Sequence, residues 1–399
     1  GEVIFSNDTH MKYSSPSVWY EAHICSPELE YYGNHIAGVP FPLLGHTRER
    51  AWGITMFVND DVDFYKETIQ GDKYLYDGEL YDLKVSQEII HVAGEDDVEF
   101  EVRGTLHGPL LSDSVSMWWA YVQYPENFIH EAFYGLSRAK SMEDVQHSAS
   151  LVHSPGLNIM YGDIDGNIAW WAAAKLPVRS ATADSKSIQD GSLAENDIKG
   201  WYDFSQNPQT INPERGFVYS ANNAPEEVDG IHYPGYYYAG NTRAASIIRA
   251  LSDDKSDWTM EDTQKLQMSS HSPVYERNCS LMCEYAAENN FEGVYAKYFN
   301  KMKDWRGTHE MEEVEPTIYY RWMHSVIKDV FKDDLGEDKY LTFRGTIVCE
   351  NTFPRVLQNH DSPWWDDPTT DNIESAQDIV ERSFRIAGPE CCSDISVAS

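Results

Sequence analysis

Trp52-Gly53-Ile54-Thr55-Met56-Phe57-Val58-Asn59-Asp60-Asp61-Val62-Asp63-Phe64-Tyr65 joins an apolar run to three acids within four positions. The run reads as a buried strand, because it is short, β-branched and aromatic, and bounded by a polar turn. The turn sets backbone amides beside Asp60, Asp63 and a carbonyl between them, a donor set suited to a hard cation. Taken alone, the same turn is equally a solvated acidic loop on a charged surface.

The patterning on either side is antiparallel. Residues 82–111 alternate β-branched and aromatic with polar residues around GEDD (94–97), which predicts a long hairpin. LNIMYGD (157–163) and NIAWWAAAKLPV (167–178) flank Ile164-Asp165-Gly166, whose Asp-Gly pair suits a tight turn with positive φ. GFVYSANN (216–223) predicts a further, largely buried strand. Helical periodicity then takes over at 242–251, 260–268, 316–331 and 374–386. Antiparallel strands followed by a helical half imply an α+β or sandwich architecture rather than a doubly wound sheet.

Composition narrows the function classes. The chain of 399 residues is long enough to bury a substantial core, and its formal net charge of −34 repels nucleic acid and anionic lipid surfaces. The acids are scattered, as on a solvating surface. Six cysteines with no CxxC pair suggest neither a disulfide framework nor zinc. Cys279 and Cys283, one helical turn apart, are read as packing residues. No run approaches transmembrane length and no signal peptide opens the chain.

The common catalytic signatures are missing: there is no GxSxG elbow, no HExxH and no phosphate-binding glycine loop. The many carboxylates and the 13% aromatic content also suit a glycan-active or glycan-binding protein. His10 in SNDTH, His107 in LHGP and Asn222-Asn223 in SANNAP are polar groups in apolar surroundings, read either as site residues or as satisfied core and turn residues.

In order and spacing, several segments together resemble the penicillin acylase family of N-terminal nucleophile hydrolases, also called penicillin amidases. They are VIFSNDTH, PSVWYEAHI, GVPFPLLGHTRERAWGIT through VNDDVDFYKE, RGTLHGP, NIMYGDIDGNIAWWAAAKLPVR, GFVYSANNAPE and GNTRAASIIRAL. The matches run from about residue 1 to about residue 386 and are thinnest between 270 and 360. The resemblance implies a four-layer αββα sandwich with an additional helical region. Residues 1–255 would form the central part of a β-subunit core, 256–387 a mainly helical region, and 388–399 a disordered or aberrant tail.

The implied chemistry is hydrolysis of a linear amide through an acyl-enzyme on an N-terminal Ser, whose own α-amine, with an ordinary pKa of about 7.7–8.0, takes the hydroxyl proton. By the same resemblance, Met56 supplies a backbone N–H to the oxyanion hole, its side chain narrowing the acyl pocket, and Asn222 supplies the side-chain donor. Asn223 supports the loop, His10 orients the nucleophile and Arg243 is a cation near the site. Calcium is the implied cofactor. Asp60 and Asp63 would be its carboxylate ligands, Val62 and Pro177 its carbonyl donors, and Asp229 is the nearest candidate for a further Asp.

Family spacing places the nucleophile roughly a dozen residues before Gly1. The region after Ile386 departs from the family pattern. The chain therefore reads as an internal piece of a larger precursor, inactive by itself, whose partners are an α subunit and the rest of the β subunit. An inactive remnant of such an acylase is an alternative. The parent is expected to be periplasmic or secreted and to act on small N-acylated substrates.

Overall fold

The computed structural model describes residues 3–8, 10–124, 126–181, 183–225, 228, 242–253, 255, 257–287 and 291–387. The chain divides into two compact units, Gly1–Ala239 and Gly240–Ser399.

The first unit opens with β1 (Tyr20–Cys25), β2 (Glu30–His35), β3 (Leu44–His46) and β4 (Arg50–Met56). The next strands are β5 (Val62–Lys66), β6 (Thr68–Gln70), β7 (Lys73–Tyr76) and β8 (Glu79–Asp82). Then come β9 (Lys84–Ile90), β10 (Val98–Gly104) and β11 (Val115–Trp119), and the helices α1 (Ala120–Gln123), α2 (Ile129–Arg138) and α3 (Met142–Ser150). The unit continues with β12 (Leu157–Asp163), β13 (Ile168–Ala173), β14 (Pro177–Val178), β15 (Gln189–Asp190), β16 (Gly200–Trp201) and β17 (Gln209–Ile211).

Seven strands form one antiparallel sheet in the order β1-β2-β3-β4-β12-β13-β17. The register sets Ile159 opposite Ile54 and Trp171, and Tyr161 opposite Trp52 and Ala169. Alternation puts all of these on one face, where they form a core with Phe133, Leu136 and Val145 of α2 and α3. Ser141 starts α3 with a reciprocal capping box to Asp144. The opposite face carries Gly53, Thr55, Asn158, Met160 and Trp170, and it is the face that builds the site.

Both expected hairpins form: β9 pairs with β10, and β12 turns into β13 through Gly166 at φ 93°. Residues 216–223 do not form the expected strand. Gly216 (φ 74°) and Asn222 (φ 61°) adopt left-handed backbone, and Asn223 Oδ1 accepts from the Ala221 N–H at 3.0 Å, so local side-chain bonds replace a ladder.

The second unit contains α4 (Thr242–Leu251), α5 (Met260–Gln267), α6 (Pro273–Tyr285), α7 (Gly293–Asp304), α8 (Glu315–Arg344), α9 (Ile347–Gln358) and α10 (Ala376–Ala387). Its core joins Phe299, Trp322, Phe331 and Phe384. Helix α8 outruns its expected end at 331: Gly336 kinks it, and the chain continues because Phe343 packs edge-on against Phe331. Cys279 and Cys283 are buried on α6, in the packing role expected of them. Among the described residues no helix is long and apolar enough to cross a membrane.

Candidate active site

The edge of β4 sets the first donor. On β4, strand β3 covers Ala51 and Trp52, and among the described residues no strand pairs with that edge beyond them. Asn7 fills the next place as a strand would: its Oδ1 accepts from the Ile54 N–H at 2.8 Å and its Nδ2 donates to Ile54 O at 3.3 Å. The Phe57 N–H turns inward to Gly156 O at 3.1 Å, so the Met56 N–H, one peptide earlier, points to the same outer edge as Asn7. The Met56 side chain, opposite Leu157 at the strand end, is half exposed.

Asn222 brings the second donor to the same residue. Its left-handed backbone, which Asn tolerates better than most residues, turns the side chain onto β4, where Nδ2 donates to Met56 O at 2.8 Å. The Asn222 amide and the Met56 peptide thus meet at the end of one strand, both neutral groups. His10 stays on the surface, with Asp8 at 3.8 Å as its charged neighbour. Arg243 is the second residue of α4, in the other unit. Asp229 and the tail 388–399 lie outside the described residues.

The acidic turn is buried rather than solvated. Asp60 and Asp63 are 6% and 4% exposed, and both share the buried Arg179. The guanidinium donates to both Asp63 oxygens, at 3.0 Å for the nearer, and to Asp60 O at 3.0 Å. Burial pushes the Asp60 carboxyl up to about 6 against the pull of Arg179. Burial raises Asp63 as well. Val62 opens β5, and Pro177 in β14 lies two residues before Arg179. Buried oxygens of this kind suit calcium, and Arg179 already brings one positive charge to both acids. Among the described residues no three His, Cys, Asp or Glu side chains converge as a metal site.

A second buried cluster continues along β5. His107 Nδ1 meets Glu67 Oε1 at 2.9 Å, Nε2 meets Asp197 Oδ1 at 3.0 Å, and the ring stacks on Tyr65 with centroids 3.8 Å apart. Glu67 Oε1 also accepts from Thr105 and Ser116 at 2.7 and 2.6 Å. Burial disfavours an imidazolium here, but the two carboxylates outweigh it and raise the His107 pKa.

Asn7, Thr55, Asn158, Arg179 and Ser220 escaped the sequence reading. Arg179 left one signal, a cation directly after the run that ends in LPV; the others are short polar residues with partners distant in the chain.

These elements define an α+β fold whose candidate site is built on one face of the seven-stranded sheet. Over residues 1–394 the chain matches the family described as penicillin amidase, and it belongs to that family. It is similar to the acyl-homoserine lactone acylase QuiP of Pseudomonas aeruginosa, at 25% identity over 98% of this chain and 50% of that protein. It is also similar to penicillin G acylase of Escherichia coli, at 25% identity over 63% of this chain and 30% of that protein. The structure superposes on a thermostable penicillin G acylase from Alcaligenes faecalis with a TM-score of 0.80 and 19% identity, covering 98% of this chain and 75% of that one. The N-terminal nucleophile hydrolase fold follows. The chain spans about half the length of the curated acyl-homoserine lactone acylases it matches. Family membership weighs against the glycan reading.

Proposed function

We propose that this chain is part of an acylase-type amidohydrolase that cleaves a linear N-acyl amide. The observation that supports it most directly is the meeting of the Met56 peptide and the Asn222 amide at 2.8 Å. In this reading the hydroxyl of an N-terminal Ser, upstream of this chain in the same precursor, attacks the amide carbon and gives its proton to its own α-amine. The carbonyl oxygen becomes an oxyanion held by the Met56 N–H and Asn222 Nδ2. Collapse breaks the C–N bond, the ammonium proton passes to the departing amine, and water then releases the acid. His10 and Arg243 are proposed to orient the nucleophile and to lend positive charge. N-acyl homoserine lactones and penicillin side-chain amides are the first substrates to try. An exported location and an α-subunit partner belong to the same proposal.

The test is Asn222→Ala in the full-length processed protein, assayed on p-nitroanilides of phenylacetic and medium-chain fatty acids. A fall of about 10²–10³ in kcat with little change in KM is expected for losing one oxyanion donor. An unchanged kcat would sink the reading.

Calcium is proposed as a structural ion held by Asp60, Asp63 and the carbonyls of Val62 and Pro177, with Asp229 as a further candidate. It would fix the turn that follows β4 and take no chemical step. Added calcium should raise the melting temperature, and Asp60→Ala should abolish the rise. No response in the unaltered protein would count against the ion.

A further inference from the structure

The donors at Met56 belong to a closed ring of hydrogen bonds whose keystone is Asn158. This residue is 2% exposed on β12. Its orientation is fixed chemically: the Trp170 indole, a donor only, gives Nε1–H to Asn158 Oδ1 at 2.9 Å, so Nδ2 faces β4. From there Nδ2 donates to Thr55 Oγ1 at 3.0 Å and to Met56 O at 3.1 Å. Thr55 Oγ1 bonds Ser220 Oγ at 2.7 Å, and the Asn222 N–H donates to Ser220 Oγ at 3.4 Å. Asn222 Nδ2 returns to Met56 O at 2.8 Å and closes the circuit.

In this arrangement the Met56 carbonyl is shared by two amides, and the one needed for an oxyanion is engaged with it. A carbonyl that loses its last protein donor is penalised, and the buried Asn158 holds one of the two donors to this one. We infer that Asn158 is a positioning residue that lets Asn222 turn from Met56 O to the reacting oxygen, because its own Nδ2–H keeps that carbonyl satisfied throughout the exchange. Through Thr55 and Ser220 it also holds the loop on which Asn222 rides. The inference rests on the acylase reading and extends it to a residue that touches neither substrate nor nucleophile.

The experiment uses the full-length processed protein and the same p-nitroanilides. Asn158→Asp keeps the acceptor for Trp170 but presents an oxygen to Met56 O. Its kcat should fall about 10–100-fold with KM within about twofold. Combined with Asn222→Ala it should lose no more than about threefold beyond Asn222→Ala alone, since both act on one interaction. Thr55→Val should follow Asn158→Asp, and Thr55→Ser, which keeps the hydroxyl, should restore kcat to within about twofold of the parent. Should Asn158→Asp fail to fold, Ser220→Ala at the far side of the ring decides, with a fall of about 3–10-fold in kcat expected at unchanged KM. If Asn222→Ala is impaired while Asn158→Asp, or Ser220→Ala in its stead, keeps the parental kcat, the positioning role is overturned and the acylase reading stands. If Asn222→Ala is itself unimpaired, both fall.

Discussion

Gly53 shows how closely the site is packed at single residues. A β-carbon there would run into the carboxamide of Asn7, the group that completes the edge of β4. Gly53→Ala should therefore push Asn7 off Ile54 and destabilise the protein by about 1–3 kcal/mol, measured by urea unfolding. In an Asn7→Gly background the same change should be nearly neutral; an equal loss in both backgrounds would place the clash elsewhere. Met56 and Asn222 stand out in the sequence because they lie in segments whose order carries the family pattern. Asn158 does not: in LNIMYGD it is one polar position among apolar ones, and its partner Thr55 is 103 residues away. Asn7 sits in the same SNDTH segment as His10, yet it is Asn7 that reaches β4.

Strand β5 and the residue after it turn polar groups inward at every second position. Asp63, Tyr65 and Glu67 share a face by the two-residue repeat, and each finds a partner there: Arg179, then the His107 ring, then His107 Nδ1. Removing the cation from a buried pair strands its partners, so Arg179→Ala should cost about 3–5 kcal/mol, and added calcium should restore more to this variant than to the parent. Around His107 stand Glu67, Asp197, Tyr65 and Tyr76, the last donating to Asp197 at 2.5 Å. Its folded pKa is raised above the ordinary 6.5, so its share of stability is complete below that value and is lost as pH rises through the folded one. Glu67 runs oppositely: burial works against its charge, but His107, Ser116 and Thr105 hold it below 4.5, and its share fades as pH falls through the folded value. Urea unfolding at pH 6 and pH 9 should show the alkaline loss in the parent and a smaller one in His107→Asn. Equal losses would dismiss the imidazolium. At this scale the hairpins were readable, because alternation and an Asp-Gly turn are local signals. The loop 216–223 was misread, because its apolar residues imitate a strand while Gly216 and Asn222 bend it out of one.

Around two main cores among the described residues, one on the sheet and one among the helices, the chain carries 65 acids against 31 bases, most of them outside those cores. The resulting charge of −34 repels itself in the compact state, and that repulsion is long-ranged until salt screens it. The screening length is about 10 Å in 0.1 M salt and about 3 Å at 1 M, so sodium chloride added to a dilute buffer should raise the melting temperature by a few degrees before levelling off. Screening does not distinguish among monovalent cations, so tetramethylammonium chloride should act like sodium chloride. The calcium binding proposed at the Asp60–Asp63 turn should behave differently: it should saturate at low concentration and disappear in Asp60→Ala. The two effects therefore separate in one experiment. The monovalent rise should survive Asp60→Ala unchanged while the calcium rise does not. A monovalent rise that vanished with Asp60 would locate the whole salt response at that turn and remove the case for general self-repulsion.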